Sequence, residues 1–420
     1  MSASPPDAAL GEGVLNVSRG TVDRADFSFE CGQSLPIEIA YETYGDPRNE
    51  TVLICHALTG SAHVATVPDP AALPWDACVP VEGQSAAWWS DLVGPGKGID
   101  TDEYHVVCVN VPGSCYGTTG PASEGPDGEP YGSDFPPVTV GDWTRAQRLV
   151  LDDLGVDGLR AVVGGSVGGM NVLEWVRRYP EQVELAVPIA TGARLDARLL
   201  ALDAIRRRAI RADPAWNGGD YYGGPGPQNG LALARQLGHV MYRSSESLAH
   251  QFGRKCAEEV IPREKAEAAR ELFPGATDPY LAIESYLDTQ AARFTERFDA
   301  NSYLAMTRAM ANYELGSSSN QHPERADVAS LSGFEGEALL VSFSGDWHFP
   351  VEGSRALEQA FRRAGIPVTH KCIDAGVGHD AFLTNADRIA RPVRTAISGG
   401  VDGQSTDRTV APVHASLFGS

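Results

Sequence analysis

One serine stands apart for its surroundings. Residues 161–170 read AVVGGSVGGM, and Gly164-Gly165-Ser166-Val167-Gly168 is the chain's only Gly-x-Ser-x-Gly. A strand-like apolar run precedes it and a helix-like run follows. That context describes a nucleophile elbow, a tight strand-to-helix turn that forces the serine into a strained backbone conformation. Glycines two places before and two after leave room for the turn. The hydroxyl then sits at a helix N-terminus, beside backbone N–H groups able to hold an oxyanion. A Gly-rich loop in an ordinary strand–helix turn is the plain alternative, and the flanking runs favour the elbow.

A nucleophilic serine needs a general base and a group to orient it. Where the elbow is used, chain order is serine, acid, histidine, with the acid after a late strand. ALLVSFSGDWHFP places Asp346 just past such a strand, and DAGVGHDAF places His379 before a helical stretch. His370 competes as base, but it alternates within VTHKCID and reads as a pleat residue. Asp374 competes as acid, but it lies five residues before His379 on the same loop. The assignment is therefore Ser166 as nucleophile, His379 as base and Asp346 as orienter. The second oxyanion N–H comes from the loop after an early strand. Here that loop is HALTG, which nominates Leu58 beside Val167, with His56 read as a structural hydrogen-bonder.

These residues need a frame. Short apolar runs at 51–55 (TVLIC), 105–111 (HVVCVNV), 159–163 (LRAVV), 185–189 (LAVPI) and 338–343 (ALLVSF) read as buried strands. Helical stretches at 140–154, 168–178 and 354–364 follow some of them. Such alternation predicts a mostly parallel sheet with helices on both faces. Residues 194–325 lack strand signals and carry long Ala-, Arg- and Glu-rich stretches broken by a Gly/Pro/Tyr loop. They read as a helical lid or dimerisation insertion between two parts of the core, 13–193 and 326–397. Residues 1–12 and 398–420 are expected to be flexible tails.

Composition narrows the function further. The chain has 420 residues, 42% of them hydrophobic, enough for a real core. It carries 34 Lys plus Arg against 55 Asp plus Glu, a formal charge of −21, so neither nucleic acid nor an anionic membrane surface is an expected partner. Only four of the basic residues are lysines: Lys97, Lys255, Lys265 and Lys371. An acid-rich, lysine-poor surface suits a salt-filled cytoplasm, where screening shortens to about 3 Å at 1 M. The first dozen residues lack a basic and an apolar region of a secretory signal, and no apolar run reaches the roughly 18 residues of a membrane span. Seven scattered cysteines without a CxxC pair read as reduced thiols of a cytoplasmic protein, and no metal is expected.

Longer blocks carry a more specific signal. CHALTGSAHV, WWSDLVGPGKGIDTDEYHVVCVNVPGSCYGTTGPAS, YGSDFPPVTVGD, GGSVGGM, GLALARQLGHVMYRS, ERFDANSYL and GHDAFL follow one another over nearly the whole chain. Together they resemble the homoserine O-acetyltransferase family. The resemblance implies an α/β-hydrolase fold with a helical lid insertion, and matches Ser166, Asp346 and His379 to the family triad. It matches Arg235 to the arginine that holds an amino-acid carboxylate, Asp380 to the acid that holds its ammonium, and Tyr242 to a pocket tyrosine. Val167 departs from the methionine usual at its place, which leaves its N–H available but reshapes the acyl pocket. The implied reaction moves an acetyl group from acetyl-CoA to the γ-hydroxyl of L-homoserine through an acyl-enzyme. Acetyl-CoA is a co-substrate, and no other cofactor is implied. A homodimer through the insertion is expected. Arg206-Arg207-Arg208 and Arg211 are candidate phosphate contacts for CoA, though a solvated helix face is the favoured reading of that run. Succinyl transfer, a serine acceptor, and ester or thioester hydrolysis remain the alternatives.

Overall fold

The computed structural model describes residues 15–65, 87–264, 267, 270, 279–316 and 322–403. The proposed N-terminal tail and nearly all of the C-terminal one lie outside these residues. The elements in chain order are strands β1 (Val17–Ser28), β2 (Ser34–Tyr44) and β3 (Thr51–Cys55), the two-residue strands β4 (Val93–Gly94) and β5 (Ile99–Asp100), and β6 (His105–Val109). Helix α1 (Val140–Asp153), β7 (Ala161–Gly165), α2 (Val167–Arg178) and β8 (Leu185–Ile189) follow. Next come helices α3 (Ala197–Ala212), α4 (Gln228–Tyr242), α5 (Ser245–Gln251), α6 (Ala282–Thr295), α7 (Ala300–Asn312) and α8 (Pro323–Leu331). The chain closes with β9 (Glu337–Phe343), α9 (Val351–Arg363), β10 (Val368–Ile373), α10 (Ala381–Thr384) and α11 (Ala386–Gly399).

Eight strands form one sheet in the order β1-β2-β6-β3-β7-β8-β9-β10. From β6 to β10 every neighbouring pair is parallel. The β1–β2 hairpin joins antiparallel at one edge. The central strands β3, β6, β7 and β8 are buried along their whole length, because helices cover both faces. Period-two alternation divides their side chains between two cores. Leu53, Val107, Val162 and Leu340 pack with residues of α1, α2 and α9 on one face. Ile54, Val106, Val163 and Val341 pack with Ile389 and Val393 of α11 on the other.

Among the described residues no strand interrupts the stretch between β8 and β9. Its two ends meet in a stem, where Arg194 bridges Glu314 and the Leu315 N–H donates to the Ala193 carbonyl at 2.9 Å. Within it α4 packs against both α3 and α6.

Within the arginine run on α3, Arg206 departs from both readings of that run. Arg206 is 1% exposed. Its Nη1 pairs with Asp203 Oδ1 at 2.8 Å, its Nε donates to the Tyr303 hydroxyl at 2.6 Å, and its Nη2 donates to the Tyr242 hydroxyl at 3.1 Å. It is an internal brace of the helical layer, neither a phosphate contact nor a solvated charge. Arg207 is half-buried, while Arg208 and Arg211 are exposed.

Toward the C-terminus, Ser398 and Gly399 complete α11, where a tail was expected. The Val401 N–H then donates to Glu337 Oε2 at 2.8 Å, tying the following residues to the sheet. Six cysteines fall in the described residues and all are free. Among the described residues no helix is long and apolar enough to cross a membrane.

Candidate active site

Ser166 sits between β7 and α2 with φ 59° and ψ −125°, a conformation that an L-residue adopts only under constraint. Glycine makes the turn possible by letting backbones touch. A Cβ on Gly164 would lie 2.4 Å from the Gly168 carbonyl oxygen, and one on Gly168 would lie 2.2 Å from the Cys55 carbonyl oxygen. These approaches bring together the elbow, the start of α2 and the loop after β3. Val167 is the first helical residue, so its N–H has no acceptor within its own helix. Leu58 lies three residues past the Cys55 contact and is 6% exposed. The structure thus sets the two expected oxyanion donors on segments in direct contact.

His56 holds that loop. Its Nδ1 donates to the Ala57 carbonyl at 2.9 Å, and its Nε2 accepts from the Val111 N–H at 3.3 Å. Burial pulls its pKa down to about 4, so the ring stays neutral and this donor–acceptor pattern is kept.

The three residues expected to act as a relay meet, though they come from three separate turns. His379 Nε2 lies 2.9 Å from Ser166 Oγ, and His379 Nδ1 lies 2.9 Å from Asp346 Oδ2. The other Asp346 oxygen accepts from the His348 and Phe349 N–H groups at 2.9 and 2.8 Å, which fixes the carboxylate in the turn after β9. With Nδ1–H donating to Asp346, Nε2 is left to take the serine proton. The competitors lie elsewhere. The Asp374 carboxylate is exposed and accepts from Ser344 Oγ at 2.7 Å. His370 is a β10 residue whose Nε2 lies 2.8 Å from Ser342 Oγ.

Around His379 the three residues matched to substrate binding converge. Tyr242, at the end of α4, has its ring centre 5.6 Å from the His379 ring. Asp380 follows His379, and its N–H donates to the Tyr242 carbonyl at 3.1 Å. Its side chain makes no capping bond to α10. Burial lifts the Asp380 carboxyl above the usual range, opposed by the charges of His379, Arg235 and Arg243. Arg235 lies two turns before Tyr242 on the same helix. Burial pushes its guanidinium below its usual range, against the influence of Tyr242, and the charge of Arg297 adds to the depression. Both Arg235 and Asp380 are closely surrounded by protein yet keep some accessible surface, as side chains lining a cleft do. Among the described residues neither is within 4.0 Å of an opposite charge. A cation and an anion thus stand near the relay, each without an opposite charge within 4.0 Å among the described residues.

Two neighbours escaped the sequence reading. His348 is 1% exposed, its ring centre lies 4.6 Å from that of His379, and its Nδ1 has no hydrogen-bond partner. Burial, with the charge of His379, holds its pKa well below the usual range. Its sole sequence signal is a place two residues after Asp346. Phe294, at the end of α6, lies under the Arg235 guanidinium, 4.6 Å from Cζ to the ring centre. No local pattern announces it.

Residues 50–386 match the alpha/beta hydrolase fold family. The homoserine O-acetyltransferase of Halorubrum lacusprofundi is 52% identical, over 96% of this chain and 99% of its own. That of Haloferax volcanii is 51% identical over 96% and 97%. The acid-rich, lysine-poor composition accords with such sources. Among solved structures, the homoserine O-acetyltransferase of Bacillus anthracis superposes with a TM-score of 0.77 at 25% identity, covering 91% of this chain and 97% of that one. Esterase E22 superposes with a TM-score of 0.76 at 25% identity, covering 91% and 100%. The elbow, the relay geometry, the mostly parallel sheet and this near full-length similarity agree: the chain belongs to the homoserine O-acetyltransferase family of the α/β-hydrolase fold.

Proposed function

We propose that this protein is an acyltransferase that moves the acetyl group of acetyl-CoA onto the γ-hydroxyl of L-homoserine, giving O-acetyl-L-homoserine and CoA for methionine biosynthesis. What carries the reading is one juxtaposition: a Ser–His–Asp relay beside an unpaired guanidinium and an unpaired carboxylate. An amino-acid acceptor needs both, because Arg235 takes its carboxylate and Asp380 its ammonium. A simple ester substrate needs neither.

The reaction is ping-pong. Ser166 Oγ attacks the thioester carbonyl as His379 Nε2 takes its proton. The Leu58 and Val167 N–H groups hold the tetrahedral oxyanion. The C–S bond breaks, the proton passes from His379 to the thiolate sulfur, and CoA leaves. The homoserine hydroxyl then gives its proton to His379 while its oxygen attacks the acetyl-serine carbonyl. Ser166 Oγ departs and recovers that proton. Each half-reaction returns His379 neutral, so the cycle draws on no metal or further cofactor. Tyr242, whose hydroxyl accepts from Arg206, lines the site beside the imidazole, its ring centre 5.6 Å from that of His379.

Two finer readings belong here. We place the enzyme in the cytoplasm, in keeping with its free thiols among the described residues. We also read it as a homodimer through the helical insertion. Leu200 and Ile205 on α3, with Leu233 and Val240 on α4, are 38–57% exposed. Large apolar side chains left exposed on two packed helices are what a partner helix layer covers. Light scattering in molar salt would return twice the chain mass, and a monomer would overturn the dimer.

The function is tested by mixing protein with acetyl-CoA in molar salt and following CoA thiol release with and without L-homoserine. Release that depends on homoserine, with O-acetylhomoserine seen by mass spectrometry, is the expected result. Equal release without acceptor would make the protein a hydrolase. Release from succinyl-CoA alone would keep the relay and change the donor.

A further inference from the structure

The Arg235 guanidinium is held in an unusual way. Its Nε is buried without a partner, and its terminal nitrogens are neither bonded to a described residue nor fully buried. An arginine with no anchored donor is free to turn, and freezing it on binding costs affinity. An ion pair would fix the plane but occupy the donors that a ligand needs. An aromatic face fixes the plane and leaves the donor edge open.

Phe294 offers that face. It is 1% exposed, stacked on Phe298 at 5.0 Å and 16°, and met edge-on by Tyr303 at 5.8 Å. The ring itself is therefore fixed. A second guanidinium, that of Arg297, packs on the same ring with Cζ 5.1 Å from its centre. Arg297 Nη1 donates to the hydroxyl of Tyr116, a 4% exposed residue of the core loop after β6. This tether runs from the helical layer to the sheet domain. Among the described residues no carboxylate lies within 4.0 Å of either guanidinium. Burial, and with it the charge of Arg297, holds the Arg235 guanidinium below its usual range. Two cations gathered on one ring, with no carboxylate within 4.0 Å among the described residues, favour an arriving anion.

We propose that Phe294 is a positioning residue: its ring, shared with the tethered Arg297, sets the Arg235 guanidinium toward the acceptor's carboxylate and so governs selection of an amino acid over a plain amino alcohol. The inference rests on the reading of Arg235 as the carboxylate-binding residue.

The test compares L-homoserine with 3-aminopropan-1-ol, the same acceptor without its carboxylate, in the Phe294→Leu, Arg297→Gln and Arg235→Met proteins. Phe294→Leu keeps an apolar side chain and removes the π face. The homoserine KM should rise roughly 3- to 30-fold, the span from an exposed to a desolvated cation–π contact. The acetyl-CoA KM should hold, and preference for homoserine over the amino alcohol should fall by the same factor. Arg297→Gln should move both in the same direction by less, and it decides the matter should Phe294→Leu not fold, since Arg297 is only half-buried. Loss of preference in Arg235→Met, with wild-type KM and preference in Phe294→Leu and Arg297→Gln, would overturn the positioning role alone. An unchanged homoserine KM in Arg235→Met would overturn the underlying reading.

Discussion

Gly168→Ala is the sharpest probe of how the site is built. Gly168 lies in the first turn of α2 and does not have the positive φ that Ser166 has. By helix propensity alone, alanine would stabilise it by about 1 kcal/mol. The surroundings reverse that expectation. The new Cβ would stand 2.2 Å from the Cys55 carbonyl oxygen and 2.9 Å from that of His56. Carbon–oxygen contacts settle near 3.3 Å, so the backbones must part by about 1 Å. Both clashing atoms are main-chain, so no rotamer relieves them. The loop that carries Leu58 therefore moves away from the helix that carries Val167. An oxyanion donor works only near 2.7–3.1 Å, and losing one costs about 10²–10³ in kcat. We expect kcat to fall by that factor in both half-reactions, since each passes through an oxyanion, with smaller changes in either KM. The assay is CoA thiol release in molar salt, with acetyl-enzyme formation followed separately by rapid quench. Gly158→Ala is the control, because no neighbouring atom lies within 4 Å of its added Cβ. A Gly168→Ala protein with unchanged melting temperature and turnover within about threefold of its parent, well short of the cost of one lost donor, would refute the reasoning.

Further outcomes follow from the same geometry. Ser166→Ala should lower turnover by about 10⁴–10⁶-fold and abolish acetyl-enzyme, read by intact-mass spectrometry. Arg206→Met leaves the Asp203 carboxylate, 0% exposed, without its partner, and should cost about 3–5 kcal/mol of stability at neutral pH, measured by denaturant titration in molar salt. The loss should shrink at lower pH, where Asp203, its pKa already raised by burial, takes up a proton. Asp380 binds the acceptor's ammonium only when ionised. Its pKa is raised, so the homoserine KM should climb as pH falls, beginning above the ordinary carboxylate range. The acetyl-CoA half-reaction should not share that climb, and Asp380→Asn should remove it.

The relay was legible in the sequence because each member sits in a local pattern. Ser166 is set between glycines, Asp346 follows a largely apolar strand, and His379 stands two residues before a short helix. The central strands were legible for a related reason. Burial on both faces leaves a continuous apolar run, with no polar alternation to confuse the period. The β1–β2 hairpin escaped. β1 is an edge strand, VSRGTVDRADFS, that buries only Val22 and Phe27, so its sequence looks like a polar loop.

The helical layer was harder, and the reason is physical. Arg206 reads as a surface charge when only its neighbours Arg207 and Arg208 are in view. Its burial is made tolerable by Asp203 one turn away, and by two tyrosines 36 and 97 residues along the chain. A buried cation is stable only if all its partners arrive together. Composition cannot report that, because the partners are chosen by folding. Phe294 differs in kind. Its partners, Arg235 and Arg297, are charges that remain unpaired among the described residues, so its place makes sense only once a ligand is considered. Arg206 is thus a cation the fold has satisfied. Arg235 is one the fold has oriented and left open, and the separation of those two conditions within one helical layer marks where stability ends and recognition begins. If so, Arg206→Met should lower stability more than it alters acceptor preference, and Arg235→Met should do the reverse. Equal effects of both on melting temperature would remove the distinction.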